Sequence, residues 1–397
     1  DKPLTIFITG GSSGIGYQAV LKLISLGHNI ILPCKNISRA NEVLTNIFNQ
    51  LPVELSKKGE IYTPIMDLSD LNSIDCICSE LKTRRVNIDV LVLNAGLQYT
   101  GSKRPRMSTQ GIELTFAVNH LAHFYLTQKI LPLIDTRNDP KIIITSSEVH
   151  NPNSGGGKVG AKASLGNLKG LKSGAGFEMI DGNNFNADKA YKDSKLCNIL
   201  FAKKLSSYLI SKKLSIPVIA WAPGLVISRD NKGFFRYSRK YNQLGQILFA
   251  FLARDILKIT TSNKYAGLLL SNLVCLSKYR KPNFNYYSNK IISSGKFIFE
   301  EPYMGSMFKK TSYDQIYDEH IYMFSCTSIK KIFRLFDLYL VDAIPQITHG
   351  GSMRYVISRK KNEAANLNRI LDQEKKMNLD NLQSCLEFKK NCEISKY

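Results

Sequence analysis

The chain has 397 residues, 44% of them hydrophobic, which is ample for a packed core and excludes a disordered polypeptide. That length exceeds one typical domain and implies one large domain with an addition, or two domains. The 54 Lys and Arg against 32 Asp and Glu give a formal charge of +22, a surface that attracts anions of many kinds; no nucleic-acid-binding fingerprint accompanies it, and no nucleic acid is expected as partner.

The opening "PLTIFITGG" reads as a buried strand rather than a leader segment. It begins a series of apolar runs, "LTIFITG", "NIILPCK", "EIYTPIMDL", "IDVLVLNAG", "KIIITSS" and "IPVIAWAPG", that alternate with helical patterns. This rhythm predicts an α/β fold, a doubly wound parallel sheet of Rossmann type with helices on both faces. In such sheets ligands bind outside the carboxyl ends of the strands.

"TGGSSGIG" follows the first run and opens the helix "YQAVLKLISLG". There Gly10 permits a tight turn, Gly14 lets backbone approach a pyrophosphate and Gly16 allows close helix packing. Ser12, Ser13 and Ile15 complete the turn, and the helix N-terminus faces the phosphates. The second run ends "LPCKNISRA", where an acid would bind the ribose of NAD. Lys35 and Arg39 stand there instead, with no acid in the adjoining sequence, and suit the 2′-phosphate of NADPH. Asp67, followed by Leu68, is placed to hydrogen-bond adenine. Asn94, with Ala95 and Gly96, is placed to line the cleft. Either Asp67 or Asn94 can equally cap the next helix.

In "ADKAYKDSKLCN", Tyr191 and Lys195 lie four apart and share one helix face. A free tyrosine titrates at about 10, and a neighbouring ammonium favours the phenolate, bringing it nearer working pH. From Arg229 to Lys290 twelve Lys and Arg meet only Asp230 and Asp255. "LGQILFAFLARDILKIT" breaks at Arg254 and Asp255, too early to span a bilayer. The region 229–260 is therefore expected to be a lid, or to rest peripherally on a membrane. The cysteines at 34, 76, 78, 197, 275, 326, 385 and 392 lack the paired CxxC spacing of a zinc site. No metal is expected, and reduced thiols fit a cytoplasmic protein.

Taken in order, "TGGSSGIG", Asp67 in "DL", "NAG", Asn119 in "VNHLAHF", "SS" at Ser146 and Ser147, "YKDSK", and Pro223 and Gly224 resemble the short-chain dehydrogenase/reductase family over roughly the first 300 residues. The resemblance implies Tyr191 as acid/base, Lys195 as the residue that lowers its pKa and binds nicotinamide ribose, and Ser147 as the orienting hydroxyl. It further implies Asn119 as holder of a relay water, and Pro223, Gly224 and Ser228 along the cofactor. Ser147 and Tyr191 stand 44 positions apart, far more than in most of the family. The intervening stretch, with "SLGNLKGL" and "MIDGNNFNADKAYKDSK", is similar to the insertion of light-dependent protochlorophyllide reductases. That likeness implies a small-molecule substrate of tetrapyrrole type. The cations of "RDNKGFFRYSRKYN" would meet its propionate, and Phe234, Phe235, Tyr237 and Tyr241 its flat face. A solvated lid accounts for that stretch equally well. Leu225 stands where that branch carries a catalytic cysteine, while Cys197 keeps its second one. Three readings remain open: the light-driven reductase, a dark reductase of a carbonyl or hydroxyl on an apolar substrate, and a non-enzymatic pigment- or nucleotide-binding protein. The oligomeric state is not legible.

Beyond "KFIFEEPYMGS" the pattern changes. "DQIYDEH", "YMFS" and "THGGSMRYVISRK" resemble the end of S-adenosylmethionine-dependent sugar C-methyltransferases, which would make Tyr317, Glu319 and His320 a catalytic cluster. The nucleotide-binding half of such an enzyme is missing from the sequence, so no methyl transfer is expected. The division is placed at 302/303: residues 1–302 as an NADP-binding catalytic domain, 303–397 as a C-methyltransferase-like α/β fragment.

Overall fold

The residues TIFI form strand β1 (Thr5–Ile8). Their side chains alternate between two apolar cores, Phe7 entering one and Ile6 and Ile8 the other. The computed structural model describes residues 2–51, 59–227, 234, 236–241, 243, 247, 260–280, 283–288, 296–311, 323–335, 338–346, 351–358 and 361–394. These divide into two units, Asp1–Asn289 and Lys290–Tyr397.

In the first unit β1 is followed by α1 (Gly14–Ser25), β2 (Asn29–Ile31), α2 (Ile37–Gln50), β3 (Ile61–Tyr62), α3 (Leu71–Thr83) and β4 (Val90–Leu93). A helical run then passes through a π-helical turn, Ala117–Leu121, into α4 (Ala122–Ile130). It is followed by β5 (Lys141–Thr145), the 25-residue α5 (Ala187–Ser211), β6 (Val218–Ala222), α6 (Asn263–Cys275) and β7 (Phe284–Ser288). The seven strands lie in the order β3-β2-β1-β4-β5-β6-β7, every pairing parallel.

The same alternation that splits β1 continues across the sheet. Leu91, Leu93, Ile142 and Ile144 meet Ile74 and Ile77 of α3, Leu126 of α4, and Ala202 and Leu205 of α5. Val90, Val92, Ile143 and Ile219 meet Val20 and Leu23 of α1, Val43 of α2, and Leu270 and Val274 of α6. At about 1.5–3 kcal/mol for each fully buried aliphatic side chain, these two cores fix the strand ends firmly. The chain leaves β1 toward β2 and β3, then returns to β4 on the other side. That makes the carboxyl ends of β1 and β4 the switch point, the place where such sheets bind ligands.

The second unit holds β8 (Lys296–Pro302), α7 (Met304–Lys310), α8 (Cys326–Arg334), β9 (Tyr339–Gln346), β10 (Ser352–Ser358), α9 (Ala365–Lys376) and α10 (Leu382–Ile394). Its sheet is antiparallel, in the order β8-β10-β9. Tyr355, Ile357 and Leu340 pack there with Ile329, Leu367 and Ile370. Buried Glu374 accepts hydrogen bonds from the N–H groups of Cys326 (2.6 Å) and Thr327 (2.8 Å), capping α8 with a negative charge. The units divide at 289/290 rather than at 302/303 because β8 pairs with β10, a long-range partner that local pattern does not reveal. Tyr317, Glu319 and His320 lie outside the described residues.

Candidate active site

The glycine turn closes against the end of β4. Gly10 has φ of +67°, and a Cβ there would lie 2.7 Å from the Cα of Ala95. At Gly16 a Cβ would fall on the carbonyl oxygen of Gly10 and lie 2.7 Å from Asn94 Nδ2. Thr9, unremarked in the sequence, joins the two loops. Its Oγ1 accepts from the N–H groups of Asn94 (2.9 Å) and Ala95 (3.0 Å), while Asn94 Nδ2 donates to Thr9 O (3.2 Å). Gly14 and Ile15 open α1. Extended Ser13 makes no side-chain cap and the first turn carries no acid, so the helix end keeps its positive character for an anion. Gly16→Ala is expected to destabilise the protein by about 1–3 kcal/mol through overpacking and to weaken dinucleotide binding, measurable by thermal unfolding and cofactor titration.

Arg39 lies in the first turn of α2, capped by Asn36. Its guanidinium donates to Ser12 Oγ (3.3 Å) and Ser12 O (3.1 Å) and pairs with Glu42 (2.7 Å). Lys35, well exposed, pairs with Asp67 at 2.9 Å. Both cations thus have an acid: Glu42 stands one helical turn after Arg39 in the sequence, whereas Asp67 is brought to Lys35 by the fold. Burial pushes the Asp67 carboxyl up, but bonds from the Ser69 N–H (2.9 Å) and Oγ (2.7 Å), with Lys35, hold it below the usual range. Leu68 packs against Leu97, Tyr99 and Val118 behind the cleft.

Helix α5 begins at Asn186, whose side chain accepts from the Lys189 N–H, and it aims Tyr191 and Lys195 at the ends of β4 and β5. Tyr191 shares a side-chain hydrogen bond with Ser147, just beyond β5. Lys195 Nζ donates to Thr145 O (3.0 Å) and lies 5.6 Å from the centre of the Tyr191 ring. The bare backbone of Gly96 faces them: a Cβ there would be 3.6 Å from both Lys195 Nζ and Asn119 Oδ1. Burial lowers the Lys195 pKa to about 8. Burial also raises the Tyr191 pKa, against the Ser147 bond, so the phenol is not loosened as the four-residue spacing predicts. The spacing sets the shared face; it does not set the direction of the ammonium, which turns to Thr145 O.

Asn119 lies in the π-helical turn, fully buried. Its Oδ1 accepts from Leu97 N (2.8 Å), and its Nδ2 donates to Leu97 O (2.9 Å) and Ser194 Oγ (3.1 Å). Both amide protons are committed, so the side chain acts as a brace between the Gly96 loop and α5. Pro223 and Gly224 follow β6, Gly224 with φ of +84°. Ser228 and Phe235 lie outside the described residues, as do most of 229–260 and the Tyr237 side chain. Phe234 is described, its ring 5.1 Å from that of Tyr191 and 3.9 Å from a Cβ built on Gly96. Tyr241 lies 6.5 Å from Tyr99. Leu225 is half-buried, its carbonyl accepting from the Thr261 N–H at 2.7 Å, and the Cys197 thiol is pushed by burial to about 12. The long segment between Ser147 and Tyr191 is strapped to α5 by Lys192, whose ammonium donates to Val159 O (2.5 Å) and Ala161 O (2.9 Å). A second strap is the ion pairing of Lys189 with Asp181 (3.0 Å) and Asp193 (2.5 Å).

A cavity of about 670 Å³ opens at the amino ends of the strands, lined by His28, Asp139, Cys275 and Arg280 among others, and is separate from Tyr191, Lys195 and the glycine turn. Among the described residues no His, Cys, Asp or Glu cluster could hold a metal, and no helix is long and apolar enough to cross a membrane.

A glycine turn at the switch point of a parallel sheet, facing a tyrosine and a lysine one turn apart, defines an oxidoreductase fold of the short-chain type. The short chain dehydrogenase profile matches residues 4–159. Protochlorophyllide reductase of Chlamydomonas reinhardtii is 31% identical over 284 residues, 70% of this chain and 68% of that protein. Protochlorophyllide reductase B of Oryza sativa subsp. japonica is 30% identical over 277 residues, 68% of this chain and 65% of that protein. The chain therefore spans just under two thirds of the rice enzyme. L-sorbose reductase from Gluconobacter frateurii, solved with NADPH and L-sorbose, shares the fold: TM-score 0.51, 17% identity, 74% of this chain and 98% of that one. This chain belongs to the short-chain dehydrogenase/reductase family.

Proposed function

We propose that the chain is an NADPH-dependent reductase in which Tyr191 delivers the proton, and that its substrate is a flat tetrapyrrole of the protochlorophyllide type. The observation that carries this reading is the Tyr191–Ser147 hydrogen bond beside Lys195, above the bare backbone of Gly96. The residues present fit a dinucleotide. Gly10 and Gly16 leave room that any Cβ would fill, α1 offers its uncapped end to the pyrophosphate, and Arg39 and Lys35 stand at the ribose side of the turn. NADPH supplies the hydride when bound. Ser147 orients the reacting group, Tyr191 Oη gives its proton to it, and the Lys195 ammonium favours the resulting phenolate. Phe234 against Tyr191 offers an aromatic face to a planar substrate, and the named relatives support the tetrapyrrole class.

Leu225 favours a second reading. A leucine has no ionisable proton, so a reductase that loses the contribution of a thiol at this position would act in the dark on an apolar carbonyl. An absorbance scan with NADPH and protochlorophyllide, dark and then illuminated, separates the two. Bleaching of the pigment only in light supports the first reading. NADPH oxidation in the dark with carbonyl substrates supports the second. Pigment binding with no oxidation under either condition contradicts both. Arg39→Ala is expected to weaken NADPH binding about tenfold, the scale of one charge-assisted hydrogen bond, and to leave NADH binding unchanged; cofactor titrations check it. No activity is assigned to the second unit, and calorimetry with S-adenosylmethionine is expected to show no binding.

A further inference from the structure

Buried His123 on α4 joins the glycine turn to Asn119, and its bonding can be assigned by elimination. Thr9 Oγ1 accepts two backbone N–H bonds, from Asn94 and Ala95, which uses both lone pairs. Its one proton has two candidate acceptors, Val92 O at 3.5 Å and His123 Nε2 at 2.9 Å. The shorter, sound contact is the imidazole. His123 Nε2 is then an acceptor, and a neutral ring must carry its proton on Nδ1. Nδ1 lies 3.1 Å from Asn119 O, an acceptor only, as this assignment requires. Burial keeps the ring neutral, lowering its pKa to about 3. The bond lands inside the π-helical turn, where Ala122 N–H reaches back to Ala117 O and the regular ladder is interrupted. Asn119 in turn clamps Leu97, one residue beyond Gly96, and Ser194, whose Oγ donates to Tyr191 O (2.7 Å).

We propose that His123 is a positioning residue: as the neutral Nδ1–H tautomer it ties Thr9 of the dinucleotide turn to the main chain of Asn119, coupling cofactor seating to the placement of Tyr191. One side of the ring serves the cofactor turn and the other serves the proton-transfer helix. The kinetic part of this inference rests on the proposed reductase function; the tautomer and the cofactor-binding part do not.

The test uses the full chain. In ¹⁵N-histidine NMR the His123 ring is expected to show a protonated Nδ1 and a bare Nε2, and the opposite tautomer overturns the proposal. Three variants then separate the two sides of the ring. His123→Leu removes both bonds. His123→Asn returns an amide donor near the Nδ1 position, and His123→Gln an acceptor near Nε2. The expected result for His123→Leu is a kcat about tenfold lower, with a KM for NADPH that rises by a similar factor, the scale of one buried bond lost on each side. His123→Asn restores kcat but not KM, and His123→Gln restores KM but not kcat. Losses of kcat and KM that track the melting temperature alike in all three variants would mean a merely structural role. If the parent protein oxidises no NADPH, the functional reading fails by itself. NADPH binding, followed by fluorescence of Trp221, whose Nε1 bonds Thr145 beside the site, then decides the proposal: recovery by Gln and not by Asn upholds it, and equal recovery or none overturns it. Where the Leu variant does not fold, the Asn and Gln variants and the spectrum carry the same decision.

Discussion

Tyr191→Phe is expected to lower turnover 10²- to 10⁴-fold, the usual range for removal of a general acid, while NADPH still binds within a few-fold of the parent. The phenol shares one hydrogen bond with Ser147, and its loss changes stability by about 1 kcal/mol, so the variant remains folded. The ring itself stays against Phe234, which preserves the shape of the cleft. Rates of NADPH oxidation, a cofactor titration and a melting curve give the three readouts. A variant that turns over as fast as the parent removes Tyr191 from the chemistry.

The second large effect is that of Lys195→Met. Turnover is expected to fall at least 100-fold, because in the proposed mechanism the ammonium, 5.6 Å from the ring centre, offsets the charge left on Tyr191 once its proton has gone. Stability should respond in the opposite sense. Burial depresses the pKa of Lys195 in the folded chain to about 8, well below that of a free lysine. Its contribution to stability is therefore present above about 10.4, the unfolded value, and is lost as pH falls through 8. At pH 7 the charged ammonium costs the fold about 3 kcal/mol before its bond to Thr145 O is counted. Methionine fills a similar volume without that cost, so the melting temperature at pH 7 should hold or rise. The difference from the parent should narrow above pH 10. A melting temperature that drops steeply at pH 7 would show that the ammonium is held by a stronger partner than one carbonyl.

Much of this architecture can be read from alternation and turn residues. The apolar runs of β1, β2, β4, β5 and β6 are continuous because both faces of each strand are covered, and the glycines of the first turn are forced by backbone approach. Strand β3 is shorter than its run "EIYTPIMDL" implies: the ladder holds Ile61 and Tyr62, breaks at Pro64, which has no N–H to donate, and resumes as a single bridge between Ile65 and Cys34. Strand β7, Phe284–Ser288, has half-buried residues throughout and no apolar run to announce it, since it lies at the sheet edge. Strand β8 has an antiparallel partner more than fifty positions away, so the C-terminal α/β unit is legible in the sequence but the place where it begins is not.

At the site, residue types were legible and directions were not. Tyr191, Ser147 and Lys195 are brought together, and Asn119 lies beside Gly96. The Asn119 amide, however, spends its protons on Leu97 and Ser194 instead of a relay water, and the Lys195 ammonium faces Thr145 O. Thr9, His123, Thr145 and Ser194 carry the bonding between these groups. Each lies within or next to a recognised motif, but nothing local marks a threonine or histidine whose partner is some eighty or a hundred positions away. Those bonds depend on the strand order, which joins β1 to β4 across the switch point.

The central claim is that a nicotinamide ring rests over Gly96 within reach of the Tyr191 phenol. A crystal structure of the chain with NADPH bound tests it most directly. The reactive face of the ring is expected roughly 3–4 Å from Tyr191 Oη or from a substrate atom between them, with the pyrophosphate on the first turn of α1. A dinucleotide bound elsewhere, or a phenol that stays packed away from the ring, would contradict it.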